Sequence, residues 1–254
     1  MLALHFPPLT HVTRWPTFLF EGTFFAVNKI AIICILAVVM SYAVFIIGNR
    51  KQLVPTRAQS IAELSVEFIE EGIVKENIGP NATAWTPVMM ATFFFIAFIN
   101  IFEVIPVFQM PGSAVIGIPM ILAAFAFFCY NGAGIKAQGL GGYLKSALFP
   151  PGLPVILYLL ITPIEFVSTF IVRPFSLMVR LFANLLAGHM LLVTFASLSA
   201  GMWAMDWYFK PLTILPAFGM TFFVAFEIMV SFLQAYVFTL LLAVYIGLSV
   251  HADH

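Results

Sequence analysis

The sequence predicts an all-α polytopic membrane protein with about five membrane-embedded helices and one interfacial amphipathic helix. Three observations carry this. Hydrophobic residues make up 62% of the chain and charged residues only 9%, whereas soluble domains carry roughly 25% charged residues. Mean hydropathy is +1.06. Apolar runs long enough to cross a bilayer, at about 20 residues each, recur from one end to the other. Spanning backbone must bond internally, and the short alternating strands of a barrel are absent, so the spans are helices.

Residues 1–27 lack the basic start and small-residue cleavage site of a secretory signal, and Pro7, Pro8 and Pro16 interrupt any long helix. They read as a mature, non-helical N-terminal tail. The first transmembrane helix covers 28–48. Arg50, Lys51 and Arg57 follow it directly, which puts this end in the cytoplasm by the positive-inside rule. Residues 56–76 form the amphipathic helix. Thr56 and Gln59 have the spacing of a capping box, and Ile61, Leu64, Phe68 and Ile69 make an apolar stripe opposite Glu63, Glu67, Glu70 and Glu71. This segment is too polar to span and belongs along the cytoplasmic interface or against a partner.

Trp85 and Pro87 open a second transmembrane helix, 85–108, which closes near Glu103 and Pro106; a short MPGS turn leads to a third, 114–134. The glycine-rich stretch that follows carries Lys136 and Lys145 and reads as a second cytoplasmic loop. The cytoplasmic segments then hold Arg50, Lys51, Arg57, Lys75, Lys136 and Lys145, against Arg14, Lys29 and Lys210 outside. Two apolar segments remain, 154–199 and 211–249. As single helices they would run ~69 Å and ~58 Å at 1.5 Å per residue, against a hydrocarbon core of ~30 Å. In the first only Arg173-Pro174 interrupts the apolar pattern. A pair of spans broken at Pro174 and one steeply tilted, kinked helix both fit; residue pattern alone leans to the pair.

Within these segments the polar residues are ordered. Arg180 sits inside SLMVRLFANLLAGHMLL, where a permanent charge costs about 2.5–3.5 kcal/mol on insertion scales. Ser176, Arg180 and Asn184 recur at i, i+4 and i+8 on one helical stripe, beside the small residues Ala183, Ala187 and Gly188, which permit close approach of another helix. In the final segment Glu227, Ser231 and Gln234 share a face. His189 lies ~13 Å of helix rise beyond Arg180 and would meet Glu227 in an antiparallel hairpin. A carboxylate and an imidazole at low dielectric exchange protons, whereas arginine, which keeps its proton, acts as a fixed gate. The Arg180 stripe offers no carboxylate, so its counter-charge should come from another chain. Plainer readings stand beside these: Glu165 interfacial, Glu103 a rim residue near a span end, His189 a packing residue, and Arg173 a snorkelling or carbonyl-capping cation. Cys34 and Cys129 read as small buried hydrophobes rather than a disulfide or metal pair. No metal or cofactor is implied, and zero net charge argues against nucleic acid.

RPFSLMVRLFANLLAGHMLL followed by FEIMVSFLQAYVFTLLLAVYIGL resembles subunit a of the F-type ATP synthases, strongly over the last ~100 residues and by order and spacing before them. The resemblance implies a non-catalytic, proton-translocating stator subunit. Its last two helices would be long and strongly tilted, an antiparallel hairpin facing a rotating c-ring whose subunits each carry one membrane-buried carboxylate. It implies b subunits of a peripheral stalk and membrane lipid as further partners. The location would be the bacterial plasma membrane, with the N-terminus outside and the C-terminus cytoplasmic. By resemblance, Arg180 separates two aqueous half-channels, Asn184 and Gln234 line its surroundings, and Ser176 faces the ring. His189 and Glu227 would work together in the outer half-channel; members of the family often carry these two residue types in exchanged positions. Glu165, Ser231, Glu103 and Arg173 are possible half-channel residues, with Glu165 one residue further from Arg180 than in some relatives. The rival readings are a self-contained secondary ion transporter, for which the expected internal repeat is not found, and an intramembrane enzyme, for which no nucleophile–base pair, HExxH or GxSxG pattern is found.

Overall fold

The structure is a computed structural model that describes residues 28–48, 56–105, 112–149, 154–205, 207–208 and 210–251. The expected N-terminal tail, the Arg50-Lys51 pair and Pro106 lie outside the described residues. Among the described residues seven α-helices follow in order: α1 Lys29–Gly48, α2 Arg57–Ile69, α3 Thr86–Ile101, α4 Gly117–Leu148, α5 Val155–Val167, α6 Arg173–Trp203 and α7 Ile214–Val250. No strand occurs among the described residues. Among the described residues five stretches are long and apolar enough to cross a membrane: Lys29–Gly48, Thr83–Ile101, Gly117–Leu148, Ile156–Trp203 and Lys210–Val250. This is an all-α polytopic membrane protein.

Local chemistry accounts for the helix boundaries. The Asn28 Oδ1 accepts from the Ala31 N–H at 3.0 Å, which caps α1. Thr56 Oγ1 accepts from the Gln59 N–H at 3.4 Å and starts α2. The reciprocal half of the expected capping box is replaced, because the Gln59 amide turns forward to donate to Glu63 Oε1 at 2.7 Å. α2 runs on through a π-helical turn, Glu70–Lys75, where Lys75 pairs with Glu71 and Glu70. Those two carboxylates hold the Lys75 ammonium above its ordinary pKa. The expected apolar stripe splits: Ile69 is buried, but Ile61 and Leu64 are 67% and 65% exposed and Phe68 is only partly covered. The face turned to the rest of the chain carries Gln59, Ala62, Ile69, Ile73 and Val74 instead.

Two expectations about chain breaks are corrected. The stretch expected as a second cytoplasmic loop is helical, since α4 continues to Leu148 and bends at Gly139, whose φ of 73° is open to glycine at little cost. The bend returns Tyr143 onto the preceding turns, where its ring meets Gly134 and its hydroxyl donates to Asn131 Oδ1 at 2.8 Å. The composition of GAGIKAQGLGG concealed a helix that folds back. Nor does Pro174 divide residues 154–199 into two spans. A π-helical turn, Ser168–Val172, carries the chain from α5 into α6, and the helix is continuous over 48 residues, ~72 Å at 1.5 Å per residue.

The chain divides into two compact units, one of residues 1–40, 95–115 and 181–234, the other of 41–94, 116–180 and 235–254. In the first, α6 and α7 run antiparallel. The Phe195 and Phe223 rings stack at 5.1 Å, Gly219 meets Phe195, and Gly188 meets Glu227; position numbers fall on one helix as they rise on the other. Lys210 Nζ lies 5.5 Å over the Trp203 ring near the turn between them. Ile33, Ile96, Ile99, Leu181 and Leu185 are buried here. In the second unit the core gathers Ile73, Met89, Tyr130, Leu177, Phe238, Leu242 and Ile246.

Candidate functional site: a buried acid–imidazole cluster and an arginine-bearing face

The first unit places three ionisable side chains in its interior. Glu103 stands in the turn after α3, where its N–H reaches the Asn100 carbonyl at 3.1 Å. His189 comes from α6 and Glu227 from α7. All three are buried, at 3%, 7% and 2% exposure. His189 Nδ1 lies 3.3 Å from Glu103 Oε1, an ion-pair approach when the imidazole is protonated. The Glu227 carboxylate packs directly on Gly188, in space a Cβ would occupy. Glu103, expected as a rim residue near a span end, stands just past the end of α3 and is a buried partner of His189. The expected meeting of His189 with Glu227 takes a looser form, with Glu227 docked one residue away on the same helix.

A cavity of about 300 Å³ adjoins this cluster, lined by Glu103, His189, Leu192, Ala196, Met220 and Val224 among others. Each of the last four lies nearer the α6–α7 turn than His189 or Glu227 does, so the cavity extends from the ionisable groups toward that end of the hairpin. Further along α7, Ser231 and Gln234 are buried at 1% and 4%. Glu227 Oε2, Ser231 Oγ and Gln234 Nε2 make no hydrogen bond among the described residues. Sequence reasoning passed over Asn100 and Ser113. Both are fully buried, and the Ser113 hydroxyl donates to Asn100 Oδ1 at 2.6 Å. Asn100 and Glu103 stand three residues apart, the same spacing logic that marked the other polar stripes.

On α6 the side chains divide cleanly. Leu177, Leu181 and Leu185 are buried at 1%, 0% and 0%. Ser176, Arg180 and Asn184, each one position earlier and so about 100° around the helix, are half-buried, half-buried and exposed. Phe175, Val179, Ala183 and Ala187 on that side are exposed as well. Arg180 Nη2 donates to Ser176 Oγ at 3.4 Å, and among the described residues Arg180 forms no ion pair. Glu165 is half-buried on α5. Arg173 lies over the Tyr245 ring at 5.2 Å to the centroid, a cation–π contact in place of snorkelling. Cys34 and Cys129 are unpaired and half-buried.

Fold and site together define a multi-pass α-helical membrane protein whose long apolar helices carry or adjoin buried acids, an imidazole and an arginine. The family described as ATP synthase A chain matches residues 30–247. Among curated relatives, ATP synthase subunit a of Rhodococcus erythropolis (strain PR4 / NBRC 100887) is 41% identical over 94% of this chain and 88% of the relative. That of Frankia alni (strain DSM 45986 / CECT 9034 / ACN14a) is 37% identical over 89% and 79%. That of Pseudarthrobacter chlorophenolicus is 34% identical over 97% and 94%. The chain belongs to the ATP synthase subunit a family.

Proposed function

We propose that this chain is the stator subunit that carries protons to and from the carboxylates of a rotating c-ring, through two aqueous half-channels separated by Arg180. The observation that carries the reading is the pairing of opposites: a buried acid–imidazole cluster beside a cavity, and, on an exposed apolar face, an arginine without an anion among the described residues. An intramembrane charge without a partner is expensive, and a ring carboxylate arriving in the bilayer plane would supply the missing anion. Ser176 and Asn184 share the Arg180 stripe and would meet the ring there. Family membership supports the same reading.

Protons enter from the α6–α7 turn, pass the cavity to Glu103, His189 and Glu227, and reach a ring carboxylate by way of Ser231 and Gln234. The neutral carboxyl then tolerates lipid as the ring turns. On return it ionises beside Arg180 and releases its proton to an inner route on which Glu165 is a candidate. The driving force is about 2.3 kcal/mol per charge per 100 mV. The charge pattern of the connecting segments and the bacterial relatives support a plasma-membrane location, N-terminus outside and C-terminus cytoplasmic. Lengths of ~72 Å and ~62 Å for the last two spans fit a ~30 Å core only with a strong tilt, which suits a hairpin lying along a ring. The exposed edge of α2 suits the interface or the b subunits of a peripheral stalk.

Two outcomes test this. The purified chain in liposomes with a pH-sensitive dye should show no gradient-coupled transport, whereas the assembled complex should pump; coupled transport by the chain alone would favour a self-contained transporter. Gly188→Ala should lower ATP-driven pumping about tenfold, because the added methyl displaces the Glu227 carboxylate from its seat, a shift on the scale of ~1–3 kcal/mol for overpacking. Subunit levels in the membrane should hold, since a side-chain end can move where backbone cannot. Unchanged pumping would remove Glu227 from the route.

A further inference from the structure

The second unit contains a hydrogen bond whose logic begins with the sequence. Pro174 has no N–H, so the helix entering it must leave a carbonyl without its donor. In the π-helical turn Ser168–Val172 the Arg173 N–H bonds to the Ser168 carbonyl, five residues back. Continued by one residue, this pattern assigns the Thr169 carbonyl to the nitrogen of Pro174, which has nothing to donate. Thr169 is 3% exposed, and at membrane depth an orphan carbonyl has no water to turn to. The Tyr130 hydroxyl, from α4, donates to that same carbonyl at 2.8 Å. Tyr130 is itself fully buried, and its ring is fixed edge-on to Tyr245 at 5.8 Å. Tyr245 in turn carries Arg173, the residue before Pro174, on its face.

We infer that Tyr130 is a positioning residue for Arg180: by supplying the donor that Pro174 withholds, it locks the π turn that sets the rotation of α6 about its axis. A π turn holds one residue more per hydrogen-bonded loop than an α turn. Closing it to α geometry would rotate everything C-terminal by about 100°, and Ser176 and Arg180 follow within two turns. Such a rotation would move Arg180 off the outward stripe and into the position of the Leu177 and Leu181 row. π turns inside α-helices gather at functional positions for this kind of reason. The inference rests on the proposed role of Arg180.

The test is a double-mutant cycle in inverted membrane vesicles holding the assembled complex, with ATP-driven pumping normalised to subunit content. Tyr130→Phe should lower pumping roughly tenfold, the scale of leaving one buried acceptor unmet. Pro174→Ala returns an N–H to position 174, so in that background Tyr130→Phe should cost less than about twofold, a non-additivity expected only of groups that share one partner. Hydrogen exchange of the amides at 168–176 should quicken in Tyr130→Phe and return toward normal in the double variant. Equal losses in both backgrounds, or unaltered exchange in Tyr130→Phe, would overturn the inference. An Arg180→Ala control run in parallel separates the two layers: if that control pumps normally, the assigned role of Arg180 has failed, whereas a dead control with additive Tyr130 losses counts against the lock alone.

Discussion

Arg180→Ala abolishes ATP-driven proton pumping while the complex remains assembled and continues to hydrolyse ATP. Two unit charges ~4 Å apart at an effective dielectric of 20 interact by about 4 kcal/mol, so removing the guanidinium shifts the ionisation of a facing carboxyl about a thousandfold. The carboxyl then keeps its proton where it should release it, and the barrier between the two routes is gone. Passive proton leak through the membrane sector should rise. Assembly should survive, because among the described residues the one hydrogen bond of the Arg180 side chain is a 3.4 Å contact to Ser176. Arg180→Lys should fail too: a desolvated ammonium sheds its proton, whereas a guanidinium does not. Quenching of a pH-sensitive dye in inverted vesicles reads the pumping, and collapse of an imposed gradient reads the leak.

The second large effect concerns His189 and Glu103. His189→Ala leaves the Glu103 carboxyl at 3% exposure with its imidazole gone, and breaking one side of a buried pair costs about 3–5 kcal/mol. Pumping should fall at least tenfold, as it should in Glu103→Ala. The coupling between the two changes should reach about 1–3 kcal/mol, so the double variant loses less than the product of the single losses. The exchange Glu103→His with His189→Glu should retain more activity than either single substitution. Glu227, docked on Gly188, should couple to the same pair. Strictly multiplicative losses in pumping would show that these groups do not act together.

Helices and their number were legible because bilayer chemistry leaves few alternatives: long apolar runs, internal backbone bonding and sparse charge admit one architecture. Helix continuity was not. Pro174 and the run of glycines before Tyr143 carry strong local breaking signals, and in each case a contact distant in sequence overrides them. The Tyr130 hydroxyl makes up for the proline, and Tyr143 folding onto Gly134 and Asn131 turns the glycine-rich stretch into a bent helix.

The polar stripes of α6 and α7 were legible from i, i+4 spacing, which needs only one helix at a time. The partner of His189 was not, because Glu103 reaches it from a turn 86 positions earlier in the chain, and no periodicity links segments so far apart. The face of α2 misled for a related reason. Its apolar stripe is real, but burial within one chain selects Gln59 and Ala62 on the other edge, leaving Ile61 and Leu64 to the surroundings.

The most direct test is a density map of the assembled complex, resolved well enough to place the Arg180 guanidinium. The account predicts that group directed at a ring subunit and within ion-pair reach of its membrane-buried carboxylate in at least one rotary position. A guanidinium pointed into lipid, or bound to a carboxylate of its own polypeptide away from the ring, would contradict it.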